Sequence, residues 1–223
     1  MNLAHLWKRS NPQLERQSFS LNELDLKLEP YLKGRAGFFI EAGANDGIAQ
    51  SNTLFFERYY GWKGILIEPI PDLAARCRVN RPACVVENCA LVPFDFHEEQ
   101  VSMQYCDLMS IVKGAMKSDD ADLEHIKVGC NVQQIETYEL KVPARTLSAI
   151  LNENSVAKVD LLSLDVEGFE LNVLKGLDFD RHRPELMLIE ARFRNEIDSF
   201  LQPLYEPIAS LSEHDVLYRI RRS

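Results

Sequence analysis

Along the chain, short continuous apolar runs alternate with amphipathic stretches. Phe38–Ala42, Gly64–Glu68, Ala83–Glu87, Val159–Asp165 and Glu185–Glu190 have the length and the Ile, Leu, Val or Phe content of buried strands. Between them, Asn52–Tyr60, Pro71–Val79, Thr146–Asn152, Phe169–Lys175 and Glu196–Leu204 read as helices. Pro71 stands near the first helical position, where its missing N–H costs little, and Gly176 follows a helix as a common C-cap. Ahead of the first strand, Leu21, Leu24, Leu28 and Leu32 recur at helical spacing and predict a helix ending near Gly34. Tyr205–Leu211 and Val216–Ile220 leave no room for a helix between them and predict a closing antiparallel pair. Repeated strand–helix units predict an α/β fold, a doubly wound and mostly parallel sheet with helices on both faces.

The alternation is interrupted once, between about residues 92 and 142. Tyr105–Ile135 contains the polar segment DLMSIVKGAMKSDDADLEHI, in which a short helix from Ser118 to Ile126 is expected. A long irregular interruption of this kind is usually a lid or a binding loop.

Composition narrows the partners. With 223 residues, 46% of them hydrophobic, the chain can bury one sizeable core. A formal net charge of −9 disfavours nucleic acid, whose nonspecific grip needs Lys and Arg against phosphates. The N-terminal MNLAHLWKRSNPQLERQ lacks the apolar core of a signal peptide, and Leu3–Lys8 reads as a short terminal helix. No run approaches the roughly 20 apolar residues of a transmembrane segment. A cytoplasmic protein is expected. The five cysteines show no CxxC pair and no His at zinc-ligand spacing, so reduced thiols are expected, with Cys84 and Cys89 as small hydrophobes.

Chemistry gathers at the strand ends. In a doubly wound sheet the ligand lies beyond the carboxyl ends of the strands. Here those ends read Glu41-Ala-Gly43-Ala-Asn45-Asp46-Gly47, Glu68-Pro69, Glu87-Asn88-Cys89-Ala90, Asp165-Val-Glu167-Gly168 and Glu190-Ala-Arg192. A single acid at a strand end is commonly a helix N-cap. Acids repeated along one edge make a site. Gly43 lets the backbone turn and approach a ligand closely. Glu68 is placed to accept both hydroxyl hydrogens of a ribose diol. The loop lacks the G-x-G-x-x-G dinucleotide fingerprint, and Asp46 would repel phosphates. S-adenosylmethionine carries no phosphate, and its sulfonium and amino group suit Glu41 and Asp46, so it fits better than NAD.

These motifs, FFIEAGANDGIAQSNTLFFERYYGWKGILIEPIP, NCAL, VDLLSLDVEGFELNVLKGL and the closing LSEHDVLYR, resemble the FkbM-type family of S-adenosylmethionine-dependent methyltransferases. The resemblance runs from Phe38 to about Arg219, the irregular middle excepted. It implies the class I methyltransferase fold, a Rossmann-like seven-stranded sheet with one antiparallel strand. It divides the chain into an N-terminal helical segment, 1–35, and a catalytic domain, 36–223, with the 92–142 insertion as a possible acceptor lid. It also implies cofactor contacts from Glu41, Gly43 and Asn45, with Ser51 and Asn52 near the start of the first helix. Glu68 would hold the ribose, Asn88 and Ala90 would border the adenine, and Asp165 would lie near the methionine end. Many members carry Asp where this chain has Glu41.

The family's common reaction is O-methylation of a hydroxyl on a sugar, polysaccharide or natural product. Candidates to take the proton or position the oxygen are Asp165, Glu167 and a histidine, His97, His125 or His214. Asp165 and Glu190 end neighbouring strands, where oxygen-only ligands could also hold Mg²⁺. An N- or C-methyltransferase, and a degenerate subunit that binds the nucleoside without turnover, are the alternatives. The acceptor, small molecule or glycan, and the oligomeric state are left open by the sequence.

Overall fold

The structure is a computed structural model describing residues 16–32 and 36–222. The Leu3–Lys8 segment and the predicted helix end at Gly34 lie outside the described residues.

A helix α1 (Leu24–Leu32), preceded by a 3₁₀ turn, leads into β1 (Phe38–Ala42), α2 (Leu54–Tyr60), β2 (Lys63–Ile67), α3 (Pro71–Asn80) and β3 (Val85–Glu87). The insertion follows: β4 (Ala90–Leu91), β5 (Gln100–Tyr105), β6 (Ile111–Val112), α4 (Asp119–Gln133) and β7 (Tyr138–Arg145). The alternation then resumes with α5 (Leu147–Glu153), β8 (Leu161–Leu164), α6 (Glu170–Leu174), β9 (Leu186–Glu190) and α7 (Arg194–Leu201). The strands β10 (Tyr205–Ser210) and β11 (Asp215–Ile220) close the chain.

The main sheet has seven strands in the order β10-β11-β9-β8-β1-β2-β3. The one antiparallel strand is β11, which runs against both β9 and β10. The order reverses between β1 and β8, which are parallel neighbours, so the switch point lies beside Glu41 and Asp165.

Strand residues alternate between two apolar cores. Ile40, Ile65, Leu162, Leu164, Met187 and Ile189 face α5, α6 and α7 through Ile150, Val173, Leu174 and Ile197. Phe39, Leu66, Leu161, Leu188 and Leu217 face α1 and α2 through Leu24, Leu28, Phe55 and Phe56. Burial on both faces is why these strands read as near-continuous apolar runs.

The middle of the chain is more regular than its sequence suggests. It forms a second, four-stranded sheet, β4-β7-β5-β6, whose β5 pairs antiparallel with both β6 and β7. The helix α4 runs on to Gln133, well past Ile126, with Ser118 capping it by accepting from Ala121 N–H at 3.2 Å. Gly129 allows this length: a Cβ there would stand 2.6 Å from Cys106 Sγ. Phe169 packs against the main core and against both apolar clusters of the insertion, joining the two.

Cys77, Cys89 and Cys106 are buried, Cys84 half-buried, and the described cysteines are unpaired. Among the described residues no helix is long and apolar enough to cross a membrane.

Candidate functional site

The strand ends open into a cleft of about 310 Å³ between the main sheet and the insertion. Its walls include Glu41, Gly43, Asn45, Asn52, Glu68, Ala90, Asp165, Glu167 and Glu190, nine of the residues singled out from sequence. Ser51, Asn88 and Asp46 do not line it. Met103, Leu108, Met109, Val112 and Val132 of the insertion supply an apolar wall.

The first loop is held from below. Glu41 is buried, its carboxylate accepting from Ser51 Oγ (2.9 Å), Asn52 N–H (2.7 Å) and Thr53 Oγ1 (2.6 Å). The fully buried Arg81 guanidinium lies 3.7 Å from it and donates to Gly47 O, Ser51 Oγ and Thr53 Oγ1, and to Glu57. Glu41 therefore fixes the segment that leads into α2. Asp46 turns away from the cleft, and its Oδ1 accepts the N–H groups of Ile48 and Ala49, each at 2.8 Å. Gly43 has φ +84°, and a Cβ there would sit 1.8 Å from the Asp165 carbonyl oxygen. The close approach that requires glycine is between two strand ends.

Glu68 occupies the end of β2. Its Oε2 accepts Asn45 N–H at 2.8 Å and its Oε1 accepts Ile70 N–H at 2.9 Å. Each oxygen keeps a lone pair, in a residue that lines the cleft. Burial outweighs these two bonds and pushes the Glu68 carboxyl up to about 8. Asn88 braces the same turn, its Nδ2 donating to the carbonyls of Glu68 (2.9 Å) and Pro69 (2.8 Å).

At the other end stand Asp165, Glu167 and Glu190, with carboxylate oxygens within 4.8 Å of one another. Asp165 is hemmed in by protein while opening on the cleft. Burial, then the charges of Glu190 and Glu167, push its carboxyl well above the ordinary carboxylate range. Burial also raises Glu167 to about 8, against the pull of Arg192. Glu167 has φ +53° and Gly168 φ +92°, a tight turn held by Glu170, whose Oε1 accepts Gly168 N–H (2.9 Å) and Val166 N–H (3.2 Å). Glu170 is buried, and no described residue reaches its Oε2. Three carboxylates so close could satisfy a hard cation in charge and ligand type. A cation is already there: Arg192 donates through Nη2 to Glu167 (2.6 Å) and through Nε to Glu190 (3.1 Å).

Of the three candidate histidines, His97 and His214 are exposed and absent from the cleft wall. The carbonyl of His214 accepts Ala191 N–H at 2.8 Å, ordering the end of β9. His125 of α4 is half-buried, its Nε2 lying 3.2 Å from Met109 O and 3.5 Å from Glu167 Oε2. Burial and the nearby Arg192 lower its pKa below the ordinary imidazole value. The site residues missed from sequence are Arg81, Asp107, Glu170 and Arg192. Glu170 had a sequence signal, as an acid opening a helix directly behind a strand-end turn, and Arg192 showed only as the tail of the Glu190-Ala-Arg192 strand end.

The chain shares 29% identity over 152 residues with Methyltransferase 1 of Beauveria bassiana, a match covering 65% of this chain and 59% of that protein. The chain thus spans under two thirds of that relative's length. Among solved structures it resembles a protein described as a caffeoyl-CoA O-methyltransferase from Staphylococcus aureus, with TM-score 0.50 and 10% identity over 93% of this chain and 87% of the other. A methyltransferase from Geobacter sulfurreducens aligns with TM-score 0.44 and 12% identity, over 90% of this chain and 76% of the other. The first of these structures and the strand order give the class I methyltransferase fold. Residues 41–219 match the family described as Methyltransferase FkbM domain, and the chain belongs to that family.

Proposed function

We propose that this protein binds S-adenosylmethionine and methylates a hydroxyl of a sugar-containing or natural-product acceptor. The observation that carries the cofactor half is Glu68: a buried carboxylate at the second strand end, held by two N–H groups, with a lone pair left on each oxygen. That donor set fits a ribose diol, and the adjoining apolar positions Ala90 and Leu91 in the cleft wall suit an adenine. When bound, S-adenosylmethionine supplies an electrophilic methyl on a cationic sulfur.

The protein's own groups do the rest. Glu41, Ser51 and Asn52 hold the first loop so that Gly43 and Asn45 border the cofactor. The acceptor hydroxyl must lose a proton as its oxygen takes up the methyl. Asp165 is the proton acceptor in this reading, because Arg192 already engages Glu167 and Glu190 while no described side chain donates to Asp165. Glu167 and Glu190 then orient the hydroxyl. Arg192 favours the ionised forms of these carboxyls, and the cationic end of a bound cofactor would do the same. The insertion, facing the same cleft, is the acceptor lid, and its apolar wall selects an acceptor with an apolar body beside its hydroxyl. The enzyme needs no nucleic acid in this reading.

The experiment is transfer of a labelled methyl group from S-adenosylmethionine to a panel of hydroxylated glycosides and natural products, with the product's methyl located by NMR. An O-methyl product that disappears in Asp165→Asn, while S-adenosylhomocysteine still binds that variant, is the expected result. A methyl found on nitrogen or carbon overturns the hydroxyl assignment.

A further inference from the structure

Arg192 stands in the three-acid cluster, at a place where a metal ion could otherwise be held. Asp165, Glu167 and Glu190 bring carboxylate oxygens within 4.8 Å of one another. Two opposite oxygen ligands span about 4.2 Å around Mg²⁺ and about 5 Å around the larger Ca²⁺, so the donor spacing is of the size a hard divalent ion takes. Yet the Arg192 side chain reaches into the cluster from the residue two beyond Glu190 and bonds two of its members, one through Nη2 and one through Nε. Glu190 and Glu167 belong to adjacent strand ends, and the guanidinium fork ties them together. Only 28% of the Arg192 side chain is accessible, with 12% for Glu167 and 14% for Glu190. Such partly buried, geometrically fixed pairs resist screening better than surface pairs.

We propose that Arg192 is the resident cation of the acceptor end of this cleft, a positioning residue that takes the place of a divalent ion and sets the Glu167 and Glu190 carboxylates. The inference rests on the reading of this cleft as the methyl-transfer site only for what the carboxylates are set to do. The exclusion of metal by the guanidinium stands on the geometry alone. Three carboxyl groups share this one arginine. Arg192 Nη1 has no partner among the described residues, so a donor remains for an acceptor oxygen. Mg²⁺ bound through Asp165 and Glu190, the possibility raised by the strand ends, would have to share Glu190 with this fork.

The test is titration of the full chain with Mn²⁺, followed by electron paramagnetic resonance of the free ion, in wild type, Arg192→Met and Arg192→Lys. Wild type and Arg192→Lys should leave the free-ion signal unchanged. Arg192→Met keeps most of the side-chain bulk, removes the charge, and should bind Mn²⁺ at least about tenfold more tightly than wild type. Adding Glu190→Gln to Arg192→Met should abolish that gain. Wild type that binds Mn²⁺ as well as Arg192→Met overturns the inference, and so does a folded Arg192→Met that binds none. S-adenosylhomocysteine titration of the same proteins reports separately on the cofactor half. Failure there in wild type would sink the methyltransferase reading and leave the metal result intact.

Discussion

Asn45 and Asp107 hold each other across the cleft. Asn45 Nδ2 donates to Asp107 Oδ1 at 2.9 Å, and both residues sit in the left-handed region, φ +48° and +46°. Asn45 belongs to the loop after β1, and its own N–H donates to Glu68. Asp107 belongs to the turn after β5, in the insertion. One hydrogen bond therefore links the loop after β1, the proposed cofactor loop, to the proposed lid, and both partners adopt a backbone conformation that Asn and Asp tolerate better than most residues.

Asp107→Ala should loosen that link without unfolding the protein. One such bond is worth about 1 kcal/mol, or roughly fivefold in affinity. S-adenosylhomocysteine should bind Asp107→Ala about fivefold more weakly, with the thermal midpoint nearly unchanged. Calorimetry and a melting curve on the same sample check both halves.

The Glu68 carboxyl gives the site a pH dependence of known sign. Burial holds it at about 8, so at pH 6 the empty cleft carries it mostly protonated. A ribose diol donating both hydrogens needs the carboxylate. Cofactor affinity should rise as pH climbs from 6 toward 8 and level off above. The same raised value means the folded protein holds this proton more tightly than the unfolded chain does. Its contribution to stability is full below the unfolded value near 4.5 and is lost as pH rises through 8. The ligand-free melting temperature should fall over that range, less steeply in Glu68→Gln, whose affinity should also be flat with pH.

Glu41 and Arg81 form the buried charge pair beneath the first loop. Glu41→Ala would leave Ser51, Asn52 and Thr53 without their common acceptor and Arg81 with Glu57 as its remaining carboxylate. A loss of about 3 kcal/mol in chemical denaturation is expected. Glu41→Gln, which keeps one acceptor oxygen, should lose less.

Much of this was legible in the sequence because the two-faced burial of the central strands writes itself as apolar runs. The five parallel strands from β1 to β9, the closing pair and the acids at Glu68, Asp165, Glu167 and Glu190 all follow from those runs and their ends. The insertion was not legible. Its strands β4 and β6 have two residues each, too short to show alternation, and β5 mixes buried Val101 and Met103 with polar neighbours. The helix α4 contains Gly129 and Asn131, poor helix formers whose presence there depends on packing against Cys106. Glu41 shows a different limit. Its position at the strand end was readable, but its partner Arg81 lies forty residues away and carries no local mark. Arg192 was visible only as the tail of a strand-end motif, since its bonds to Glu167 and Glu190 depend on how two adjacent strands are cut.

The central assignment is the cleft as an S-adenosylmethionine site with Glu68 as its ribose partner. Calorimetric titration with S-adenosylhomocysteine, wild type beside Glu68→Ala, tests it most directly. Micromolar binding, about −8 kcal/mol, that collapses in Glu68→Ala is the expected outcome. A folded wild type that takes up no S-adenosylhomocysteine, or a Glu68→Ala variant that binds as tightly as wild type, would show that the cleft does not hold the nucleoside in this way.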